Sequence, residues 1–288
     1  MNKAQKLLFI VNPASGNGEV NYAAEITTFF KNRPEEFEIY ELPSNCSLEK
    51  LKATIKKSNS KRVIAVGGDG TLKLVAECLV NTETAIGIIP AGSANGMAKE
   101  LGIPLLLQEA IALTISGKPK KIHAVMVNKE LCIHLSDIGF NAYLVKIFDE
   151  LPERGMKTYA KATWHAFWSH KKMEVSFKIN GKIIKEKAAM IVLANATKYG
   201  SGLQINPDGK LDDNLFEMII VKEYAVMEII KIWISKLPWN PKKIESFQVS
   251  ELEIKTKHKV HFQVDGEYLG KVDTVVAKII PKALTIIV

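Results

Sequence analysis

The segment Val63-Ile-Ala-Val-Gly-Gly-Asp-Gly-Thr71 constrains the fold of this chain more than any other. A short apolar run reads as a buried strand. It stops at Gly67-Gly68-Asp69-Gly70-Thr71, and Leu72 to Leu79 continues with helical spacing. Glycines at the end of a parallel strand let backbone N–H groups approach an anion without Cβ obstruction, and the next helix presents its positive end there. Asp69 is the odd residue, because a carboxylate beside phosphate is repulsive unless a cation or a transferring proton lies between. A glycine turn with a central acid therefore points to phosphoryl chemistry. The plainer alternative is a tight strand-to-helix turn.

Two further segments weigh against that alternative. Leu7 to Val11 is an apolar strand that ends in Asn12-Pro13-Ala14-Ser15-Gly16-Asn17-Gly18, before the helical spacing of Val20 to Phe30. Ala85 to Ile89 ends in Pro90-Ala91-Gly92-Ser93-Ala94-Asn95-Gly96, before Met97 to Leu101. In an open parallel sheet such loops gather at the carboxyl edge, where ligands bind. None is a G-x-x-x-x-G-K-[ST] loop, and Gly16-Asn17-Gly18 lacks the third glycine of G-x-G-x-x-G. An ordinary P-loop NTPase and a standard dinucleotide oxidoreductase both lose ground.

Asn12-Pro13-Ala14-Ser15-Gly16, Gly67-Gly68-Asp69-Gly70-Thr71-Leu72 and Gly92-Ser93-Ala94-Asn95, in this order, resemble the diacylglycerol kinase catalytic-domain family. That family includes bacterial lipid kinases and sphingosine kinases, with NAD kinases as more distant relatives. The likeness continues through Asp208-Gly209-Lys210-Leu211-Asp212 and Val264-Asp265-Gly266-Glu267, so it spans essentially the whole chain. It implies an N-terminal Rossmann-like parallel α/β domain, a C-terminal antiparallel β-sandwich-like domain, and ATP and Mg²⁺ as cofactors.

Composition agrees with that size and setting. A chain of 288 residues with 47% hydrophobic content holds one large or two modest domains. No apolar run approaches the ~20 residues that span a bilayer, and Met1-Asn-Lys-Ala-Gln-Lys6 leads directly into a strand rather than a cleavable signal. Cys46, Cys78 and Cys132 are odd in number and lack C-x-x-C spacing, as expected of buried thiols in a cytoplasmic protein. The formal charge of +8 suits an anionic membrane surface, a nucleic acid or a phosphorylated substrate. Nucleic acid is disfavoured, because the basic residues are dispersed and no reader motif occurs. A kinase without a membrane span would meet its lipid substrate by peripheral association, where each basic residue near anionic lipid contributes ~1 kcal/mol. A functionally silent basic surface is the alternative, and a homodimer is compatible with either.

Residues 6–118 alternate strand and helix, with strands near 6–11, 36–42, 62–66 and 85–89, the signature of a parallel sheet with right-handed crossovers. After Lys118-Pro119-Lys120-Lys121 the period changes. Lys120 to Val127 and Leu131 to Ser136 read as a hairpin around Asn128-Lys129, and Val175 to Ile179 with Ile183 to Lys187 as another around Asn180-Gly181. Further strands are expected near 189–195, 215–221, 247–255, 259–264, 272–279 and 284–288. The expected domains are 1–120, binding nucleotide, and 121–288, binding lipid, with the active site in the cleft between them. The resemblance also implies that the last strand returns toward the first domain. Tyr143 to Lys172 is the main helical interruption, in which Trp164, Phe167 and Trp168 suit a core more readily than lipid tails. His165 and His170 have no cysteine or acidic partner at ligand spacing.

Phosphoryl transfer needs a positioned nucleotide, a divalent ion for charge compensation and a base for the acceptor hydroxyl. The resemblance assigns nucleotide contacts to Asn12, Pro13 and Ala14, to Gly67, Gly68, Gly70, Thr71, Leu72, Lys73 and Leu74, and to Ser93 and Asn95. Ser44, after the second strand, is a weaker candidate. Asp69 would act through Mg²⁺ or its waters, or orient the acceptor. Glu267 follows the short Asp265-Gly266 turn between two apolar strands, where a carboxylate can project, and the resemblance makes it the proton acceptor. Its plain alternative is a solvent-exposed hairpin residue. The resemblance places a structural Mg²⁺ on Asp208 with the carbonyls of Ile205 and Lys210, oxygen ligands that suit a hard cation. Asp212 and Asp213 are less firmly implicated.

The chain departs from the family pattern in three places. Lys73-Leu74 replaces Asn-Glu, Gly96 replaces an aspartate, and His123 stands where many members carry an aspartate linked to the metal. The expected activity is ATP-dependent phosphorylation of a hydroxyl of diacylglycerol or a related lipid. An NAD kinase-like enzyme, or a catalytically silent nucleotide- or lipid-binding protein, is the alternative.

Overall fold

The computed structural model describes residues 6–16, 20–150, 171–179, 181–199, 203–207, 209–223, 240 and 242–288. Contacts divide the chain into two compact units. The first comprises Met1–Ala124 and Pro281–Val288, and the second comprises Val125–Tyr199 and Leu203–Ile280.

In the first unit, β1 (Leu7–Val11), β2 (Phe37–Glu41), β3 (Arg62–Gly67) and β4 (Ala85–Pro90) pair in parallel in the order β2-β1-β3-β4. The end of the last strand adds to β4, Thr285 opposite Ala85 and Ile286 opposite Ile86, also parallel. The expected return of the chain terminus is thus present. β1 is buried at every position, as a strand covered on both faces requires. Helices α1 (Tyr22–Phe30), α2 (Leu48–Ser58), α3 (Asp69–Leu79), α4 (Gly96–Glu100) and α5 (Leu107–Ser116) follow the strands. Asn21 and Ser47 cap α1 and α2 by accepting from Ala24 N–H and Lys50 N–H. Phe9, Phe30, Ile64 and Ile111 centre the core, where Phe9 and Phe30 meet edge to face at 5.7 Å. Each such side chain contributes roughly 1.5–3 kcal/mol by leaving water. Arg62 donates to the carbonyls of Thr114, Ile115 and Gly117, which places a cation at the carbonyl end of α5.

Among the described residues the second unit is antiparallel apart from one helix. Its strands are the end of β5 (Pro119–Val127), β6 (Glu130–Cys132), β7 (Leu135–Gly139), β8 (Met173–Ile179), β9 (Lys182–Ala188), β10 (Met190–Ala194), β11 (Lys198–Tyr199), β12 (Leu203–Gln204), β13 (Phe216–Val221), β14 (Ile244–Val249), β15 (Glu251–Val264) and most of β16 (Glu267–Ile287). The order β14-β13-β10-β7-β15-β16 is continuous, with the β8–β9 hairpin branching from β15. β15 changes partners along its length. Ile254–Thr256 pair with β8, Phe262–Val264 pair with β7, and register shifts lie between. Bulged strands that change neighbours make the corners of sandwich-like sheets. Alternate residues of these strands bury a core that includes Ile138, Val175, Phe216, Ile254 and Phe262.

The β5–β6 hairpin turns at Asn128-Lys129, both at positive φ as a two-residue turn of type I′ requires. The strand expected over 131–136 is broken at Ile133-His134, whose backbone groups bond to Asp265 and Asn195 instead of to a neighbouring strand. The segments expected separately at 259–264, 272–279 and 284–288 are parts of long strands, the first of β15 and the other two of β16. Helix α6 (Phe140–Glu150) occupies the start of the expected helical stretch. Trp164, His165, Phe167, Trp168 and His170 lie outside the described residues, as does Asn180.

Candidate active site

Direct contacts join the three glycine-bearing loops of the first unit. Asn12 Nδ2 donates to Thr71 Oγ1 at 3.2 Å, while its Oδ1 accepts from Ala14 N–H at 3.0 Å. Ala91 N–H donates to the Gly67 carbonyl at 2.9 Å. Gly68 and Gly92 pass so closely that a Cβ on Gly92 would lie 2.6 Å from Gly68 Cα. Backbone cannot yield as a flexible side chain does, so this crossing requires glycine. Gly16 takes φ +71°, and a Cβ there would meet the Ala91 carbonyl at 3.3 Å. Asn95 also adopts a left-handed conformation, and its side chain accepts from Gly92 N–H and donates to the Gly92 carbonyl.

Asp69 locks the second loop to the third. Its two carboxylate oxygens accept the N–H groups of Gly96 at 3.0 Å and Met97 at 3.1 Å, the first residues of α4. A carboxylate at the start of a helix answers unsatisfied donors and the positive end of the peptide dipoles. Each oxygen keeps a second lone pair, so the same group can still accept a hydrogen bond from a metal-bound water. Among the described residues no side chain caps the start of α3, and none comes within 4 Å of the position a Cβ would occupy on Gly70. Uncapped N–H groups beside an open glycine suit a phosphate.

The structure sorts the predicted nucleotide residues. Pro13, Ala14, Gly70 and Ser93 are exposed, while Asn12, Gly68, Asp69, Leu74 and Asn95 are half-buried. Gly67, Thr71, Leu72 and Lys73 are buried. Thr71 is tied to Asn12, whereas Leu72 at 4% exposure and Lys73 at 5% face the interior. Lys73 therefore does not stand on the surface as a phosphate-contacting lysine would. Ser44 is exposed in the turn after β2, and none of the contacts joining the three loops involves it.

In the second unit, Val264 pairs with Glu267 across Asp265-Gly266, which have φ +51° and +86°. This is the tight hairpin turn that the sequence suggested, and it leaves Glu267 exposed. Asp265 faces inward. It accepts the N–H groups of Ile133, His134 and Leu135 at 2.9, 2.9 and 3.1 Å, with the Cys132 thiol at 3.6 Å. The carbonyls of the same bend accept from Asn195 Nδ2, Asn195 N–H and Ala196 N–H. Those donors and acceptors have left the strand ladder, which is why β6 and β7 are separate. Gly266 N–H donates to Gln263 Oε1 at 2.7 Å, Gln263 Nε2 donates to Asp137 Oδ2, and Asn141 Nδ2 donates to the same oxygen at 2.7 Å. Asp137 and Gln263 are each 1% exposed. A buried polar network of this kind is rigid when its members are bonded, and it holds the turn beneath Glu267.

Sequence reasoning missed Asp265, Gln263 and Asp137 as supports. Only Asp265 carried a signal, as the aspartate preceding glycine in a tight turn.

Of the expected Mg²⁺ ligands, Asp208 lies outside the described residues, Ile205 is buried and Lys210 is exposed. The neighbouring loop is anchored by Asn206, which donates to Glu217 Oε2, while Gln248 Nε2 donates to Glu217 Oε1 at 3.0 Å. Among the described residues no group of three His, Cys, Asp or Glu side chains is placed to hold a metal. His123 is buried on β5. No described helix is long and apolar enough to cross a membrane.

Two domain families match the chain end to end. The diacylglycerol kinase catalytic domain matches residues 6–127, and the YegS C-terminal NAD kinase beta sandwich-like domain matches 137–288. The chain belongs to the diacylglycerol kinase catalytic-domain family. A probable lipid kinase YegS of Escherichia coli O1:K1 is 31% identical over 75% of this chain and 74% of its own length. A probable lipid kinase YegS-like protein of Chromohalobacter salexigens is 27% identical over 76% and 73%. In structure, a putative diacylglycerol kinase from Bacillus anthracis matches 100% of this chain and 98% of its own, with a TM-score of 0.82 and 20% identity. An NAD kinase from Archaeoglobus fulgidus matches 98% and 93% with a TM-score of 0.52 and 13% identity. Both likenesses concern the fold.

Proposed function

We propose that this chain is an ATP-dependent lipid kinase that phosphorylates a hydroxyl of diacylglycerol or a related lipid. The observation that carries this reading is the junction of three glycine-bearing loops at the ends of parallel strands, held by the Asp69 carboxylate. The names of the relatives from E. coli and C. salexigens support the lipid as acceptor.

Nucleotide handling falls to the first unit. The uncapped start of α3, with Gly68 and Gly70, offers N–H groups to the phosphates, and Asn12 and Asn95 keep the flanking loops in place. Asp69 would hold Mg²⁺ through its waters, and the ion supplies charge neutralisation on the phosphates. In the second unit Glu267 accepts the proton of the lipid hydroxyl. The hydroxyl oxygen forms the new bond to the terminal phosphorus, the bond to the bridging oxygen breaks, and ADP departs with its electron pair. The charge of +8 supports peripheral binding to an anionic bilayer, where such a substrate resides.

The test is transfer of label from ATP to a panel of diacylglycerol, other neutral lipids, sphingosine and NAD. Label in a neutral lipid supports the reading. The likeness to NAD kinases favours a second reading, NAD phosphorylation, and transfer to NAD alone would replace the first with it. No transfer to any acceptor, with ATP still bound, would leave a nucleotide-binding protein.

A further inference from the structure

The second unit contains a cavity of about 630 Å³ whose wall includes Tyr268, the residue that follows Glu267. Among the described residues its lining includes five lysines but a single glutamate. The glutamate, Glu174, is already engaged with Lys257 Nζ at 3.1 Å, and that hydrogen bond holds its carboxyl below the usual range. Lys146 has Glu150 at 3.4 Å. Lys171, Lys172, Lys259 and Lys271 are all exposed, and among the described residues none has a carboxylate within ion-pair distance. Positive groups converging on a concave surface focus their field and attract anions.

The ring-bearing wall has a different character. The Tyr143 ring on α6 lies 4.9 Å from that of His261, whose Nδ1 is 2.8 Å from Tyr268 Oη. Burial raises the Tyr268 phenol above its ordinary range, so its proton stays in place to bond at neutral pH. Three contiguous rings offer flat carbon faces with a few polar edges.

These features select a ligand class. Among the described lining residues there is no arginine, so the cationic groups are compact ammonium points rather than planar forks. Several mobile ammonium groups suit a tetrahedral anion with many acceptor oxygens and more than one charge. The volume lies in the ordinary range for small-molecule sites, roughly 300–1,000 Å³, and exceeds what one bare phosphate fills. We infer that this cavity binds a phosphomonoester, its phosphate among Lys172, Lys259 and Lys271 and its carbon portion against Tyr143, His261 and Tyr268. The same chemistry is offered by a soluble sugar-sized phosphate and by the head group of a phosphorylated lipid. The inference does not rest on the kinase reading.

The experiment measures binding by the full chain without nucleotide. Calorimetry uses glycerol 3-phosphate and inorganic phosphate, and co-sedimentation uses phosphatidylcholine vesicles with or without phosphatidic acid. The expected result is binding of glycerol 3-phosphate, of phosphatidic acid vesicles, or of both. Soluble ligand alone identifies a free phosphomonoester, and vesicles alone identify the lipid head group. Lys259→Glu with Lys271→Glu should weaken that binding at least about 10-fold, given the ~1 kcal/mol that each basic residue contributes near an anionic surface. Lys50→Glu with Lys57→Glu, on α2, makes the same change in net charge and should leave it intact. Tyr268→Phe should weaken glycerol 3-phosphate more than inorganic phosphate, because it disturbs only the ring wall. Thermal unfolding of every variant monitors the fold. Equal losses in the two double variants would reduce the effect to diffuse charge and overturn the site, as would a native chain that binds neither probe. Absence of kinase activity would leave either result standing.

Discussion

Asp69 and Asp265 are both flanked by glycine and both accept backbone N–H groups, yet they serve their units differently. Asp69 joins two loops of a parallel α/β unit at a half-buried surface where Gly70 is open. Asp265 turns inward and gathers three N–H groups from a bend more than a hundred residues earlier in the chain. In the first unit the acid itself stands beside the open Gly70, on the side proposed to take the nucleotide. In the second it is a support, and the exposed acid is Glu267, two residues on. A motif aspartate can therefore be part of the chemistry or part of the frame, and only its partners distinguish the two.

Replacing the exposed acid of the second unit should give the largest effect. Glu267→Gln keeps size and polarity but removes most basicity, so turnover should fall ~10²–10⁴-fold, the scale of general-base catalysis. ATP affinity, measured on the same preparation, should be unchanged. A parallel loss of affinity would show that Glu267 holds shape rather than takes a proton.

Asp69→Asn tests whether one carboxylate does both jobs. Turnover should fall ~10²-fold through lost electrostatic positioning. An amide can accept only one of the two N–H bonds and opposes the other, so urea unfolding should show a loss of about 1–3 kcal/mol. A stability loss without a turnover loss would make Asp69 as purely structural as Asp265.

Asp265→Asn should invert that balance. Stability should fall by about 1–3 kcal/mol, since three donors lose their anionic acceptor. Turnover should fall less than in Glu267→Gln, by up to ~10²-fold, through misplacement of an intact base. Equal turnover losses in the two variants, with the fold retained, would mean that turn geometry outweighs basicity.

Cysteine reactivity gives the smallest effect. Burial pushes the Cys78 thiol up to about 11, so at pH 8 it stays protonated. The thiolate is the reactive form. Alkylation of native Cys78 should therefore be slow at pH 8 and accelerate as pH rises toward 11, as peptide mapping by mass spectrometry would show. Cys132, fully buried beside Asp265, should react only when Asp265→Asn or denaturant opens the second unit. Rapid labelling of native Cys132 would contradict the tight packing there.

The parallel unit was the more legible of the two. Val63–Val66 and Gly67–Thr71 encode strand, turn and helix start within a few residues, because each transition depends on local burial and glycine conformation. Asn128-Lys129 likewise announced its hairpin. The break at Ile133-His134 was hidden, since its cause lies in Asp265, and so was the fusion of the segments around Thr256–Lys259 into β15, which uses register shifts against two different neighbours. Of the loop junction, Asp69, Asn12 and Asn95 stood out in the sequence, but their partners did not. The burial of Lys73 was not, because a lysine in a helix carries no mark of which face meets the core.

The sequence by itself determined the family, the alternation of strand and helix, the three loops and the turn before Glu267, since these follow from short-range periodicity and turn chemistry. Tertiary structure decided which carboxylate oxygens meet which N–H groups, where β6 ends, that Gly68 and Gly92 touch, and that five lysines and three rings share one cavity. Those relations join residues tens to hundreds of positions apart. They are set by the requirement that buried donors and acceptors be paired and apolar faces be covered, which no local stretch of chain can express.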